Sequence, residues 1–222
     1  QRLHARGGEA RTPTRGAGGV SALAPSGGWR AADARLPVPP RGGAMALMSL
    51  FARVMGRKQV PDVFLVLHLN ARLFWPWLVF ASRLMPGGHL RARERELVIL
   101  RTAWNCRSRY EWGQHVEVGL RVGLADAEIV QLARAPQNFA DERGRLLLAA
   151  CDELFRDQAI APPTWTALAA HYDAKRLIEI GMLAGHYQML AGVLNSAGLA
   201  LEPAIESVLQ AFEQRAAAID IG

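Results

Sequence analysis

From Val60 to the C-terminus, apolar residues recur mostly at three- and four-residue spacing, the period of helices packed on one side. "VFLVLHLNARLFWPWLVFASRLM" is the first such stretch; Asp62 is placed to cap it and Pro76 to kink or divide it. The "PGGH" of Pro86–His89 breaks the chain. Helices are then expected over Arg91–Cys106 and over Tyr110–Val122, the second stopping near Gly123. "DAEIVQLAR" follows with Asp126 as its cap, and "DERGRLLLAACDELFRD" starts near Asp141. Pro162-Pro163 open "TWTALAAHY", Asp173 caps a long apolar helix to about Ala197, and Pro203 starts a last amphipathic one. No strand series and no repeat of fixed period is visible. The pattern predicts the all-α class, as a compact multi-helix bundle.

Residues 1–44 lack this period. They are rich in Gly, Pro, Ala and Arg, and are expected to be a disordered tail before a single helical domain over 45–222. Met45, opening "MALMSLFARVMG", has the look of a natural start, and the tail then reads as an over-long gene model, an Arg-rich leader or a basic arm, in that order. Charge changes the picture only here. Seven arginines against two acids give the tail five of the six formal positive charges, so the body is nearly neutral and nucleic-acid binding is not expected. Two cysteines, Cys106 and Cys151, are too few for a disulfide scaffold and fit a reducing, cytoplasmic setting. No run of about 20 residues is free of polar groups, as a membrane span would need; the nearest, "LIEIGMLAGHYQMLAGVLNSAG", contains Glu179, His186, Gln188 and Asn195 and reads as a buried helix. Its Gly181, Gly185 and Gly192 are expected to allow close helix packing.

Two helices carry polar groups where a core should be. Around Glu96 the wheel gathers Ala92, Ile99, Leu100, Ala103 and Trp104, with Arg91, Glu94, Arg95, Arg101, Thr102 and Asn105 opposite. A carboxylate on the apolar face is costly unless paired or protonated. On the next helix Glu111, His115, Val118 and Val122 form one stripe, and Tyr110, Gln114, Glu117 and Arg121 the wet face. Glu111 and His115, four apart, can touch, and a carboxylate beside an imidazole suits proton transfer near neutral pH. Each of these residues alone is better explained by a hydrogen-bonded core; three on two successive helices make a catalytic site as good a reading. Tyr110, Trp112 and His186 are weaker pocket candidates, as is Cys106, although a small buried hydrophobe near a helix end is the plainer account of that thiol. Cys151 reads as core. Arg95 or Arg101 could meet a substrate carboxylate, but both lie on the polar side. A second imidazole at ligand spacing is missing, so neither metal nor cofactor is expected.

"RERELVILRTAWNC", "YEWGQH" and "KRLIEIGMLAGHYQMLAGVLNSAGL" resemble the carboxymuconolactone decarboxylase and alkyl hydroperoxidase D superfamily, over roughly Val60–Glu202. The resemblance implies an all-helical fold assembling as trimers or hexamers, with active sites close to subunit contacts. In the hydroperoxidase members a Glu lies nineteen residues before a His, with a Cys-x-x-Cys pair just ahead of that His. Glu96 and His115 match the Glu and the His, but Ser108 and Glu111 hold the cysteine positions, and Cys106 comes two residues early. The missing thiol pair points to the decarboxylase side: cofactor-free acid–base chemistry on a small organic acid or lactone, with His115 moving the proton, Glu111 orienting or sharing it and Glu96 as relay. A thiol peroxidase using Cys106 is the second reading, and a non-catalytic oligomeric binding protein the third.

Overall fold

The computed structural model describes residues 23–30, 33–40 and 60–220. The Met45 start and most of the Arg-rich tail lie outside the described residues. The helices are α1 (Asp62–Leu67), α2 (Ala71–Leu84), α3 (Ala92–Asn105), α4 (Arg109–Arg121), α5 (Asp126–Arg134), α6 (Glu142–Asp157), α7 (Pro162–Ala169), α8 (Ala174–Ala197) and α9 (Pro203–Ala216). Short 3-10 turns cover His68–Asn70 and Pro136–Asn138. No strand occurs among the described residues, and the class is all-α.

Capping chemistry sets several of these bounds. Asp141 accepts from the Gly144 amide at 2.8 Å and Asp173 from the Arg176 amide at 3.0 Å, each answering one of the amides a helix start leaves open. Gly198 ends α8 at φ +67°, where only glycine is unstrained. Two expectations are corrected. Asp62 and Asp126 are the first residues of α1 and α5, not their caps, which are Pro61 and Ala125. The first apolar stretch divides at His68–Asn70, where Asn70 accepts from the Leu73 amide, while Pro76 stays inside α2.

Helix α3 is the centre, packed against α4, α5, α6 and α8. Every residue from Arg95 to Trp104 is buried, so Arg95, Arg101 and Thr102, read as a polar face, are interior. Burial of Leu97, Val98, Ile99 and Leu100 contributes about 1.5–3 kcal/mol each, and the charged groups are brought in with partners. The Arg101 guanidinium is bidentate to Asp152, at 2.6 and 2.9 Å, and donates to the Leu132 and Ala133 carbonyls at the C-terminal end of α5. One core cluster lies between α3, α4, α5 and α9, and a second between α3, α6 and α8, where Cys151 is buried as expected.

The described part of the tail is not disordered. Leu23 is buried in the first core cluster. Trp29 sits edge-on to Trp104, with ring centres 5.5 Å apart, and 5.7 Å from Trp112. Arg107, at φ +55°, donates to the Gly27 and Gly28 carbonyls. One Leu and one Trp supply enough burial to hold a segment that has no periodicity of its own.

Two stretches, Asp62–Leu84 and Ala174–Ala197, are long and apolar enough to cross a membrane by length and composition alone. Both carry polar residues, Asn70, Arg72 and Arg83 in the first and Glu179, His186, Gln188 and Asn195 in the second. More than half of the second is buried in the protein, against 17% of the first. What they leave uncovered is one apolar face: Leu73, Val79 and Phe80 on α2, and Ile178, Met182, Met189 and Val193 on the adjacent α8. Gly181, Gly185 and Gly192 do not serve packing within the described chain, since a Cβ at any of them would meet nothing within 4 Å.

Candidate active site

Glu96 on α3 and His115 on α4 meet because the two helices pack side by side. The His115 Nδ1 lies 2.7 Å from Glu96 Oε2, and Glu96 is fully buried. With Glu96 ionised, Nδ1–H is the donor and the lone pair is on Nε2. The Tyr187 ring meets the imidazole edge-on, 4.9 Å away at 89°, and fixes its plane. Nε2 is 3.8 Å from Glu111 Oε2, one helical turn back. Glu111 is also buried, which pushes its carboxyl up to about 7 although His115 acts in the other direction. Around neutral pH the site therefore holds an oriented imidazole beside a carboxyl that burial favours in its acid form. Arg95 stands behind the pair, its Nε 3.8 Å from Glu96 Oε1.

Glu111 and His115 line a cavity of about 430 Å³. Its other walls come from the chain before α1 (Val60, Pro61), from α1 and α2 (Phe64, Trp75, Trp77), from Met85 and Pro86, and from α8 (His186, Tyr187, Leu190). Tyr110 and Gln114 line it too, and are buried where the sequence pattern made them a wet face. The cause is Glu202, which sequence reading missed. Its carboxylate accepts from the Tyr110 hydroxyl at 2.8 Å, from Gln114 Nε2 at 2.6 Å and from the Asp62 amide at 2.6 Å. Tyr110 in turn accepts from the Val63 amide at 3.0 Å. One acid thus ties the start of α1 over the cavity. Gly113 lets the Leu201–Glu202 segment approach: a Cβ there would stand 2.5 Å from Leu201.

His186 faces the same cavity as expected. Its ring stacks on Trp77, centres 5.9 Å apart and planes at 17°, and burial pushes its pKa down to about 4, so it is neutral at physiological pH. Two weaker candidates move out. Trp112 is fully buried against Trp29 and Trp104, a core residue. Cys106 lies outside the cavity, in a separate shallow concavity with Arg107 and Asn195, and burial pushes its thiol up to about 11. The arginines considered for a substrate carboxylate are also elsewhere: Arg101 is paired with Asp152, and Arg95 with the Pro86 carbonyl and Glu96. No Lys or Arg occurs among the described residues lining the cavity. Among the described residues no group of three or more His, Cys, Asp or Glu is arranged to hold a metal ion.

The carboxymuconolactone decarboxylase family model matches residues 71–142, the span that carries Glu96, Glu111 and His115. No curated protein matches the chain significantly. Among solved structures, a peroxidase-related protein with an alkylhydroperoxidase AhpD core from Ralstonia eutropha JMP134 superposes with a TM-score of 0.68 at 19% identity, covering 77% of this chain and 93% of that one. A peroxidase-related protein from Silicibacter sp. TM1040 gives 0.66 at 16%, covering 79% and 93%. A debrominase in complex with 2,3,4-tribromopyrrole gives 0.67 at 14%, covering 81% and 100%. At these identities the likeness is one of fold.

Proposed function

We propose, for this member of the carboxymuconolactone decarboxylase and alkyl hydroperoxidase D superfamily, a cofactor-free acid–base enzyme acting on a small carbonyl compound of lactone type. The observation that carries the reading is the buried row Glu96–His115–Glu111 at the polar end of an otherwise apolar cavity. His115 Nε2 takes a proton from the carbon beside the carbonyl. Glu96 accepts from Nδ1–H and stabilises the imidazolium. Glu111, in its acid form, donates toward the oxygen or carbon that gains electrons. Decarboxylation is the variant in which carbon dioxide, not a proton, leaves that carbon. A lactone suits the lining better than a free organic acid, because no Lys or Arg is present among the described lining residues.

A simple probe is the isomerisation of α-angelica lactone to its conjugated isomer in deuterium oxide. The expected result is turnover with deuterium uptake, reduced about hundredfold or more in His115→Asn and in Glu111→Gln. Equal rates in all three proteins overturn the reading.

The neighbours described as peroxidase-related raise the second reading. A peroxidatic Cys106 would need a thiolate, and burial, with Glu111 adding to it, pushes the thiol up to about 11, outside the lining of the cavity that holds His115. Peroxide consumption with a thiol reductant is accordingly expected to be the same in the wild type and Cys106→Ser. Activity lost with Cys106 would move the nucleophile there.

The apolar face of α2 and α8 is assigned, on the same reading, to a contact between copies. Trp75 of α2, 40% exposed, both lines the cavity and adjoins that face, so a second copy would narrow the mouth of the site. The open stripe of Gly181, Gly185 and Gly192 would let a partner helix come close.

A further inference from the structure

We infer that the cavity selects an uncharged aromatic ring compound over a carboxylate of similar size, with Trp77 and His186 forming the platform that receives the ring. The inference rests on the cavity of the acid–base reading and deepens it by naming a substrate class.

Charge gives the first argument. The ionisable side chains that line the cavity are Tyr110, Glu111, His115, His186 and Tyr187. His115 is hydrogen-bonded to Glu96, Arg95 lies within ion-pair distance of Glu96 and donates to the Pro86 carbonyl, and Arg101 is bidentate to Asp152. A carboxylate entering this space would lose its hydration, meet Glu111 as a like charge and find no free cation. A neutral molecule incurs none of these costs. His186 does not change the balance, since burial keeps it unprotonated at physiological pH.

Shape gives the second. Trp77 and His186 lie nearly parallel, and Phe80 meets His186 edge-on at 5.5 Å. Phe64 and Trp75 continue the wall toward the mouth. A flat ring can extend such a stack or meet it edge-on, which an alicyclic ring of equal area cannot do as well. A volume of about 430 Å³ suits one or two rings.

The third is the pattern of unpaired polar atoms. Trp77 Nε1 and His186 Nδ1 are buried without a hydrogen-bond partner. Tyr110 and Gln114, on the opposite side, are satisfied by Glu202. Buried donors are rarely left open, and where they are the cause is often functional. A wall needed only for apolar contact would be better served by Phe and Leu. A ring bearing one hydroxyl-type group can answer either orphan after a small shift of the stack, or turn that group toward Glu111.

The test is isothermal titration calorimetry of the full chain at pH 7 with p-cresol, 4-methylbenzoate and 4-methylcyclohexanol. The expected order places p-cresol first, 4-methylcyclohexanol three- to tenfold weaker and 4-methylbenzoate at least tenfold weaker. Trp77→Leu should bring p-cresol down to the level of the alicyclic alcohol, whereas His186→Phe, which keeps a ring in the stack, should preserve the aromatic preference. No binding of p-cresol, binding of 4-methylbenzoate as tight or tighter, or indifference to Trp77→Leu in a folded variant each overturn the inference. If that variant does not fold, the order of the three ligands on the wild type still decides. Glu111→Gln separates the two proposals. It should abolish proton transfer yet retain p-cresol, so lost chemistry with retained ring selectivity upholds both. Chemistry that depends on Glu111 in a cavity preferring the carboxylate defeats the inference alone.

Discussion

Replacing Glu111 by Gln should make the protein more stable, and only over a defined range of pH. The carboxyl is raised by burial from 4.5 to about 7. Below pH 4.5 it is protonated in both folded and unfolded chains and has no effect on the balance. Between 4.5 and 7 the unfolded chain releases the proton while the folded one keeps it, so stability falls by about 1.4 kcal/mol per pH unit. Above 7 both forms are ionised and the full loss, about 3 kcal/mol, persists. Glutamine is neutral throughout and escapes it. Urea unfolding of the wild type and Glu111→Gln at pH 4.5, 6 and 8 reads the difference directly, because every group not coupled to Glu111 cancels. The variant should gain on the wild type as pH rises and level off above 7. A difference that stays flat across this range would mean that Glu111 titrates normally, and the argument for a neutral-pH acid in the cavity would fall with it. Lost activity together with gained stability would identify the carboxyl as held there at the expense of the fold.

Other outcomes follow from contacts already described. Glu96→Ala strands His115 Nδ1 in the interior, and should cost about 1–3 kcal/mol in urea unfolding as well as activity; Glu96→Gln, which can still accept from Nδ1, should recover most of the stability but not the rate. Trp29→Ala should destabilise by about 3 kcal/mol in the same assay, since it opens a void beside Trp104 and Trp112; no change would mean that residues 23–30 do not dock. Val79→Glu with Met182→Glu should lower the mass measured by light scattering to that of one chain, and an unchanged mass would take the α2–α8 face out of the contact between copies.

What could be read from the sequence was whatever depends on near neighbours. Asp141, Asp173, Gly198 and Pro203 mark helix ends through bonds within one turn, and the pairing of Glu111 with His115 is a matter of one turn as well. The wheel also showed that Glu96 faces inward. It failed where a second element decides. Arg95, Arg101 and Thr102 looked solvated because a wheel shows one buried face, whereas α3 is enclosed by four helices. Tyr110 and Gln114 looked wet because nothing local announces Glu202, which arrives from about ninety residues away and reads in isolation as the residue before Pro203. Trp29 was lost in Gly- and Pro-rich surroundings; the one available sign was a large aromatic in a tail with no other use for it.

The docking of that segment decides what the helical body shows to water. With residues 23–30 displaced, all of the proposed acid–base groups would stay in place and yet Leu23 and Trp29 would be gone from the core. Trp104, only 8% exposed with Trp29 in place, would then turn an indole face to water at the corner between α3 and α4. Docked and undocked forms would thus share one chemistry and differ in solubility, the undocked one being prone to associate through the bared indole.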